Sequence, residues 1–220
     1  MKCLLCGKSL QTEITFTNLL CLKKEEEIVC ESCISSFESI GGNHCPSCFK
    51  KGLSTICQDC QFWCKKGVKV DHRALYSYNQ AMKEYFSRYK FDGDYLLRKV
   101  FSEILQKELK KYKDYQIVIV PLSDQRLKSR GFNQVEDLIK DTGLAYLDIL
   151  VKKEVEASSS KNRSDRLLAE FPFLLKDGVK LPEKILLFDD IYTTGTTLNR
   201  LKSMLLAAGC QNIKTFSLAR

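Results

Sequence analysis

Five short apolar runs, at 72–78, 117–120, 146–151, 185–188 and 213–218, punctuate the second two-thirds of this chain. Amphipathic or polar stretches separate them. The run Ile185, Leu186, Leu187, Phe188 is uninterrupted, the pattern of a strand buried on both faces in a parallel sheet. Residues 117–120 repeat that pattern and stop at Pro121-Leu122. Between these runs the period becomes helical. Asn79 is placed to cap a helix reaching about Tyr89, and residues 90–94 form a turn. Leu97, Val100, Phe101, Ile104, Leu105, Leu109 and Tyr112 recur at helical spacing, which predicts one amphipathic helix over 95–112. Residues 126–130 are expected as a basic loop. A helix from Phe132 or Asn133 to Ile139 follows, ended by Gly143. Another helix runs from Leu198 to Ala208 and is closed by Gly209. Residues 157–164 are serine-rich and basic without apolar period, and are expected as an exposed mobile loop. Strands alternating with helices predict an α/β fold with a mainly parallel sheet.

The first 64 residues follow no such pattern. Ten of the eleven cysteines lie there, and eight form Cys-x-x-Cys pairs: Cys3/Cys6, Cys30/Cys33, Cys45/Cys48 and Cys57/Cys60. In a reducing compartment this spacing serves metal, each pair giving two thiolates to a tetrahedral Zn²⁺. Four pairs fit two four-thiolate sites. Joining first with second and third with fourth needs the least loop closure; a crossed pairing and a single zinc remain open. Cys21 and Cys210 read as small hydrophobes, and His44 as a bystander. A closed four-thiolate shell is structural, with no open position for a substrate. The boundary falls at 65–71, giving a cysteine-rich zinc module over 1–66 and the α/β domain over 71–220. The opening Met-Lys-Cys-Leu-Leu-Cys-Gly is no secretory signal, and no apolar stretch approaches the ~20 residues of a membrane span. A cytoplasmic protein is expected.

Formal charge is +8. From Lys83 to Arg130 twelve cations stand against seven anions. The excess favours an anionic partner, either a phosphorylated small molecule or a nucleic acid.

The richest chemistry lies at 185–198. The buried strand runs into two carboxylates, Asp189 and Asp190. A hydroxyl-rich turn, Thr193, Thr194, Gly195, Thr196 and Thr197, then opens a helix. Backbone N–H groups and hydroxyls can ring a phosphate there, and the helix dipole favours negative charge. The carboxylates can accept from ribose hydroxyls or hold Mg²⁺. This string resembles the PRPP-binding signature of the type I phosphoribosyltransferases. The resemblance implies that the acidic pair meets the ribose 2′- and 3′-hydroxyls and that the loop wraps the 5′-phosphate. Phosphoribosyl transfer also needs a cationic loop for pyrophosphate and a hood that excludes water. Pro121 and Leu122 with Arg126 and Lys128 suit the first. The segment 158–166, carrying Lys161, Arg163 and Arg166, suits the second.

Over almost its whole length the chain resembles the ComF-type proteins of naturally transformable bacteria. The cysteine pairs carry the likeness, together with Tyr89-Lys90-Phe91-Asp92-Gly93-Asp94, Pro121-Leu122, Arg130-Gly131-Phe132-Asn133-Gln134, the segment 158–166 and the signature at 185–198. The resemblance implies a zinc-finger plus phosphoribosyltransferase-like protein. It implies handling of incoming single-stranded DNA, work beside a competence DNA helicase and a recombination mediator, and PRPP or ribose phosphate as ligand. Lys90, Arg130 and Phe132 are the candidate DNA contacts, with Phe91, Tyr89 and Trp63 as further stacking candidates. Two departures bear on chemistry. Thr193 stands where purine-salvage transferases carry a catalytic Asp, and Cys3 belongs to a metal pair rather than acting as an N-terminal nucleophile. Purine salvage and glutamine-dependent transfer are disfavoured. A sugar-phosphate-binding competence factor is the first reading; an active Mg²⁺-dependent transferase with an unidentified acceptor is the alternative.

Overall fold

The computed structural model describes residues 1–10, 28–153 and 171–220. Seven strands are present among them: β1 (His72–Tyr76), β2 (Gln116–Ile119), β3 (Tyr146–Leu147), β4 (Leu150–Lys152), β5 (Phe173–Leu175), β6 (Lys184–Ile191) and β7 (Asn212–Ala219). Five form one sheet in the order β1-β7-β6-β2-β3. Every pairing in it is parallel. β4 and β5 pair antiparallel as a separate ribbon. The α/β class and mainly parallel sheet read from the apolar runs are therefore present.

The helices are α1 (Glu31–Ile34), α2 (Gln58–Lys65), α3 (Gln80–Phe91), α4 (Ser102–Leu109), α5 (Asp124–Arg130), α6 (Gln134–Lys140) and α7 (Thr196–Ala207). Asn79 caps α3 by accepting from the Met82 amide, and Asn133 caps α6 through the amides of Val135 and Glu136.

Side chains alternate across the strands, so each strand feeds two apolar layers. Ile117, Ile119, Leu186 and Phe188 enter one layer with Tyr85, Phe86, Tyr89, Phe101 and Leu138. Val118, Val120, Ile185 and Leu187 enter the other with Leu198, Leu201 and Leu205 of α7. The cysteine-rich region packs on both faces. Phe37 is buried in the first layer, with Leu4 and Leu5 against it, and Cys45, Cys48, Cys57, Cys60 and Trp63 are buried in the second.

Four expectations need correction. Residues 126–130 are helical, within α5. Gly131 ends it in the left-handed region at φ 77°. α5 buries no residue, so it leaves no apolar period to read. The stretch 95–112 is not one α-helix: 3₁₀ turns at Tyr95–Phe101 and Lys110–Tyr112 flank α4. The apolar spacing reports the face buried by Leu97, Phe101, Leu105 and Leu109, not how tightly the turns are wound. The run 146–151 is two strands, broken where Ile149 and Leu150 are buried in succession and the chain leaves the main sheet. The carboxylate pair does not end its strand. β6 continues to Ile191, with Asp189 opposite Ser217 and Ile191 opposite Ala219.

Candidate anion site and metal centres

The phosphate-loop candidate follows β6 directly. Tyr192 leaves the strand with its amide on the Ala219 carbonyl at 2.9 Å. Gly195 sits at φ 77°, and a side chain there would overlap the Tyr192 hydroxyl and the Asn199 amide. Glycine is required twice, for its backbone conformation and for space. α7 begins at Thr196, with the Asn199 amide on the Gly195 carbonyl at 2.9 Å. The hydroxyls of Thr194 and Thr196 meet at 2.9 Å. The resulting small cavity is lined by Asp189, Ile191, Thr193, Gly195, Thr196 and Thr197, among others. Among the described residues, no backbone carbonyl accepts from the amides of residues 193–197.

The two carboxylates part company. Being successive on one strand they face opposite sides of the sheet. Asp189 lines the cavity, its Oδ1 accepting from the Asp190 amide at 2.9 Å. Burial, reinforced by the charge of Asp190, pushes the Asp189 carboxyl up to about 8. Asp190 points into the other layer. It pairs with Lys90 at 2.6 Å and accepts from Gln134 Nε2 at 3.1 Å. The two charged side chains are only 12% and 9% exposed.

Around that pair gather the three candidate nucleic-acid contacts. Lys90 is the partner of Asp190. Phe132 packs between Tyr89 at 5.2 Å and Tyr95 at 5.3 Å. Arg130 lies over the Phe91 ring at 5.4 Å, and Phe91 is 74% exposed. Among the described residues, Arg130 Nη1 is buried without a hydrogen-bond partner, a donor suited to an anion. Arg126 and Lys128 are exposed on α5 and do not reach the cavity at Asp189. Pro121 and Leu122 line a second cavity of about 220 Å³, with Asp124, Leu127, Asn133 and Lys152. Lys161, Arg163, Arg166 and the hood segment lie outside the described residues.

The cysteines fall into two groups, Cys3/Cys6/Cys30/Cys33 and Cys45/Cys48/Cys57/Cys60, each with its sulfurs within 4.8 Å of one another. This is the sequential pairing. A tetrahedral zinc with ~2.3 Å Zn–S bonds needs sulfurs about 3.8 Å apart. Cys6 and Cys30 lie at 3.7 Å, Cys48 and Cys57 at 3.5 Å, and Cys45 and Cys60 at 3.9 Å. The amides of Cys30 and Cys57 donate to Cys3 and Cys45 sulfurs at 3.3 Å, as thiolate shells require. Both groups can hold an ion such as zinc. His44 stands apart from both, stacked on Phe49 at 4.0 Å. Cys210 is buried as expected, and Cys21 lies outside the described residues.

Several site contacts gave no sequence signal, those of Trp63 included, a residue expected only as a stacking candidate. Arg220 reaches Cys48 Sγ at 3.1 Å and Asp59 at 3.2 Å, and also donates to the Thr193 carbonyl. Trp63 donates to the Thr194 carbonyl at 2.9 Å. Tyr192 stacks on buried His72 at 3.9 Å and lies under the Arg220 guanidinium. Most of these contacts join residues more than a hundred positions apart, Arg220 to the loop spans 27, and no local pattern encodes them.

Fold and site define an α/β protein with a five-stranded parallel sheet, a threonine-glycine loop at a helix N-terminus, and two four-cysteine groups packed on its faces. No family model matches the chain. It is 60% identical over 220 residues to competence protein ComFC of Streptococcus pneumoniae, covering all of both chains. It is 34% identical to competence protein ComFC of Bacillus subtilis, over 99% of this chain and 94% of that one. A hypoxanthine phosphoribosyltransferase structure from Staphylococcus aureus aligns with 56% of this chain and 63% of its own, at 19% identity and TM-score 0.34. The chain belongs to the ComFC family of competence proteins.

Proposed function

We propose that this protein is a competence factor for DNA uptake that handles incoming single-stranded DNA, and that its threonine loop binds the phosphate of a ribose phosphate, in PRPP or at a DNA end. Membership of the ComFC family supports the competence role. One observation carries the phosphate reading: the amides of residues 193–197 stand unengaged by described carbonyls at the N-terminus of a twelve-residue helix, beside Asp189. A phosphate oxygen satisfies such amides, and the helix dipole adds attraction. Thr193, Thr194, Gly195, Thr196 and Thr197 ring the phosphate, and Asp189 takes a ribose hydroxyl and Mg²⁺ on the loop side, while Asp190 stays with Lys90 on the opposite face. Pro121 and Leu122, with Arg126 and Lys128 nearby on α5, serve the pyrophosphate side; Lys161, Arg163 and Arg166 serve as the hood.

The DNA reading rests on exposed Phe91 with Arg130 over it, and on half-exposed Tyr95 with Arg98 at 3.8 Å. Cation–aromatic pairs at a surface are a platform for stacked bases and tracked phosphates. Among the described residues no helix is long and apolar enough to cross a membrane. A cytoplasmic setting beside a competence helicase and a recombination mediator completes the proposal. Calorimetry with PRPP and Mg²⁺ tests the pocket: binding in the wild type and its weakening in Asp189→Asn are expected, and absence of affinity refutes it. Filter binding of single-stranded DNA across a salt series tests the platform. Affinity falling steeply with salt is expected, and none at low salt refutes it.

A specific observation favours a second reading, an active transferase. With its carboxyl near 8, Asp189 can give or take a proton at neutral pH from within the cavity. Pyrophosphate release in the presence of an acceptor decides between transfer and binding alone.

A further inference from the structure

The second cysteine group and the threonine loop touch through two side chains. Trp63, on the helix that carries Cys60, donates Nε1–H to the Thr194 carbonyl at 2.9 Å. Arg220 donates to the Thr193 carbonyl with one terminal nitrogen and to Cys48 Sγ with the other. Its Nε meets the same sulfur at 3.3 Å, and its side chain is only 5% exposed. Asp59, on the same helix as Trp63, fixes the guanidinium at 3.2 Å. Stacking on Tyr192 at 4.7 Å holds it over the loop.

Peptide geometry turns these contacts into a statement about the site. Described peptide bonds are all trans. In a trans peptide the N–H of a residue points opposite to the preceding carbonyl. With the Thr193 and Thr194 carbonyls drawn toward the cysteine group, the amides of Thr194 and Gly195 point away from it. We propose that Arg220 and Trp63 are positioning residues that aim those two amides at the bound phosphate, so that metal at Cys45/Cys48/Cys57/Cys60 and anion in the loop stabilise one another. This rests on the phosphate reading of the loop. The second metal centre then does more than staple the fold: it presets the anion site, and reciprocity requires the anion to help retain the metal.

The test uses the full chain loaded with zinc, PRPP with Mg²⁺ as the probe, calorimetry for affinity and a chromogenic chelator for zinc release. In the wild type PRPP slows release of one of the two zinc ions about tenfold. Trp63→Phe keeps the ring but not the donor. It retains both ions and binds PRPP about fivefold more weakly. Arg220→Ala binds at least tenfold more weakly, and Arg220→Lys does not rescue it, because one ammonium cannot serve sulfur and carbonyl together. PRPP no longer protects zinc in any of the three. Variants that hold two zinc ions and bind PRPP like the wild type overturn the proposal, as does a release rate in the wild type indifferent to PRPP. If the wild type gives no PRPP binding, it is the phosphate reading that fails, and Gly195→Ala judges the clasp alone. Its added methyl displaces the loop without touching the cysteines, so second-site zinc should leave faster and the emission of Trp63, the single tryptophan, should shift. Unchanged rate and emission overturn the clasp.

Discussion

Asp189 sets a pH dependence that the site cannot avoid if it binds a ribose phosphate with Mg²⁺. Its carboxyl is raised to about 8, first by burial and then by Asp190, while the Asp190 amide and the Lys90 charge oppose the rise. A neutral carboxyl offers Mg²⁺ nothing and is a poorer acceptor for a ribose hydroxyl, so the binding-competent form is the ionised one. From a value near 8, that form is about 1% of the protein at pH 6, about 10% at pH 7 and half at pH 8. Apparent affinity scales with this fraction. PRPP–Mg²⁺ affinity should rise about tenfold from pH 6 to 7, about fivefold from 7 to 8, and level off above 9. At pH 7 the penalty is about 1.4 kcal/mol, and each binding event releases nearly one proton. The ligand's own phosphate titrates near pH 6 and shares the lower step, so the interval from 7 to 8 is diagnostic. Calorimetry at each pH, repeated in buffers of different ionisation enthalpy, measures both quantities. Asp189→Asn, permanently neutral, removes the step from 7 to 8. Stability moves the other way. A group raised in the folded state contributes fully below its unfolded value near 4, and that contribution is lost as pH rises through about 8. An affinity flat between pH 7 and 8 with no buffer dependence refutes the reasoning, as does an affinity that falls with pH.

Three further outcomes follow from named contacts. Gly195→Ala forces a left-handed conformation worth about 1–2 kcal/mol and an overlap with Tyr192, so denaturant titration should show at least that loss and PRPP binding should vanish. Lys90→Met leaves Asp190 buried beside Gln134 without its countercharge; a loss of about 3 kcal/mol is expected by urea unfolding. Metal analysis of the purified chain should find two zinc ions. Cys45→Ser should lose the buried ion and unfold at lower denaturant, whereas Cys6→Ser, at an exposed ligand, should lose the other ion and keep the parallel sheet.

What could be read from the sequence was what is local. Uninterrupted apolar runs such as 185–188 belong to strands covered on both faces, and they announce a parallel sheet without any pairing partner being known. Cys-x-x-Cys spacing fixes pairs because two residues of one turn share one metal. Gly195 was legible as a loop residue because a tight turn before a helix N-terminus selects for it. The lost information is relational. Residues 126–130 are a helix with no buried face, so hydrophobic periodicity had nothing to report. Arg220 and Trp63 act through contacts spanning 27 and 131 residues, and neither sits in a distinctive local string. The burial of Lys90 could not be read either, since a lysine in a charged stretch looks like a solvated one until its carboxylate is placed.

The separation of the acidic pair bears on what kind of site this is. Two adjacent carboxylates look in sequence like one binding element, but strand geometry puts Asp189 on the loop side and Asp190 among the helices. They therefore receive opposite treatment. Asp190 has a cation at 2.6 Å and a donor at 3.1 Å. Asp189 accepts from the Asp190 amide and carries a raised carboxyl. Burial first, and then the charge of Asp190, raises the Asp189 carboxyl, while the Lys90 charge opposes the rise. Drawing Lys90 off Asp190 would expose Asp189 to a fuller repulsion. Lys90 lies next to Phe91, the exposed ring beneath Arg130, on the last turn of α3. One helix thus carries, on adjacent residues, the buried cation of the Asp190 pair and the exposed ring at the surface.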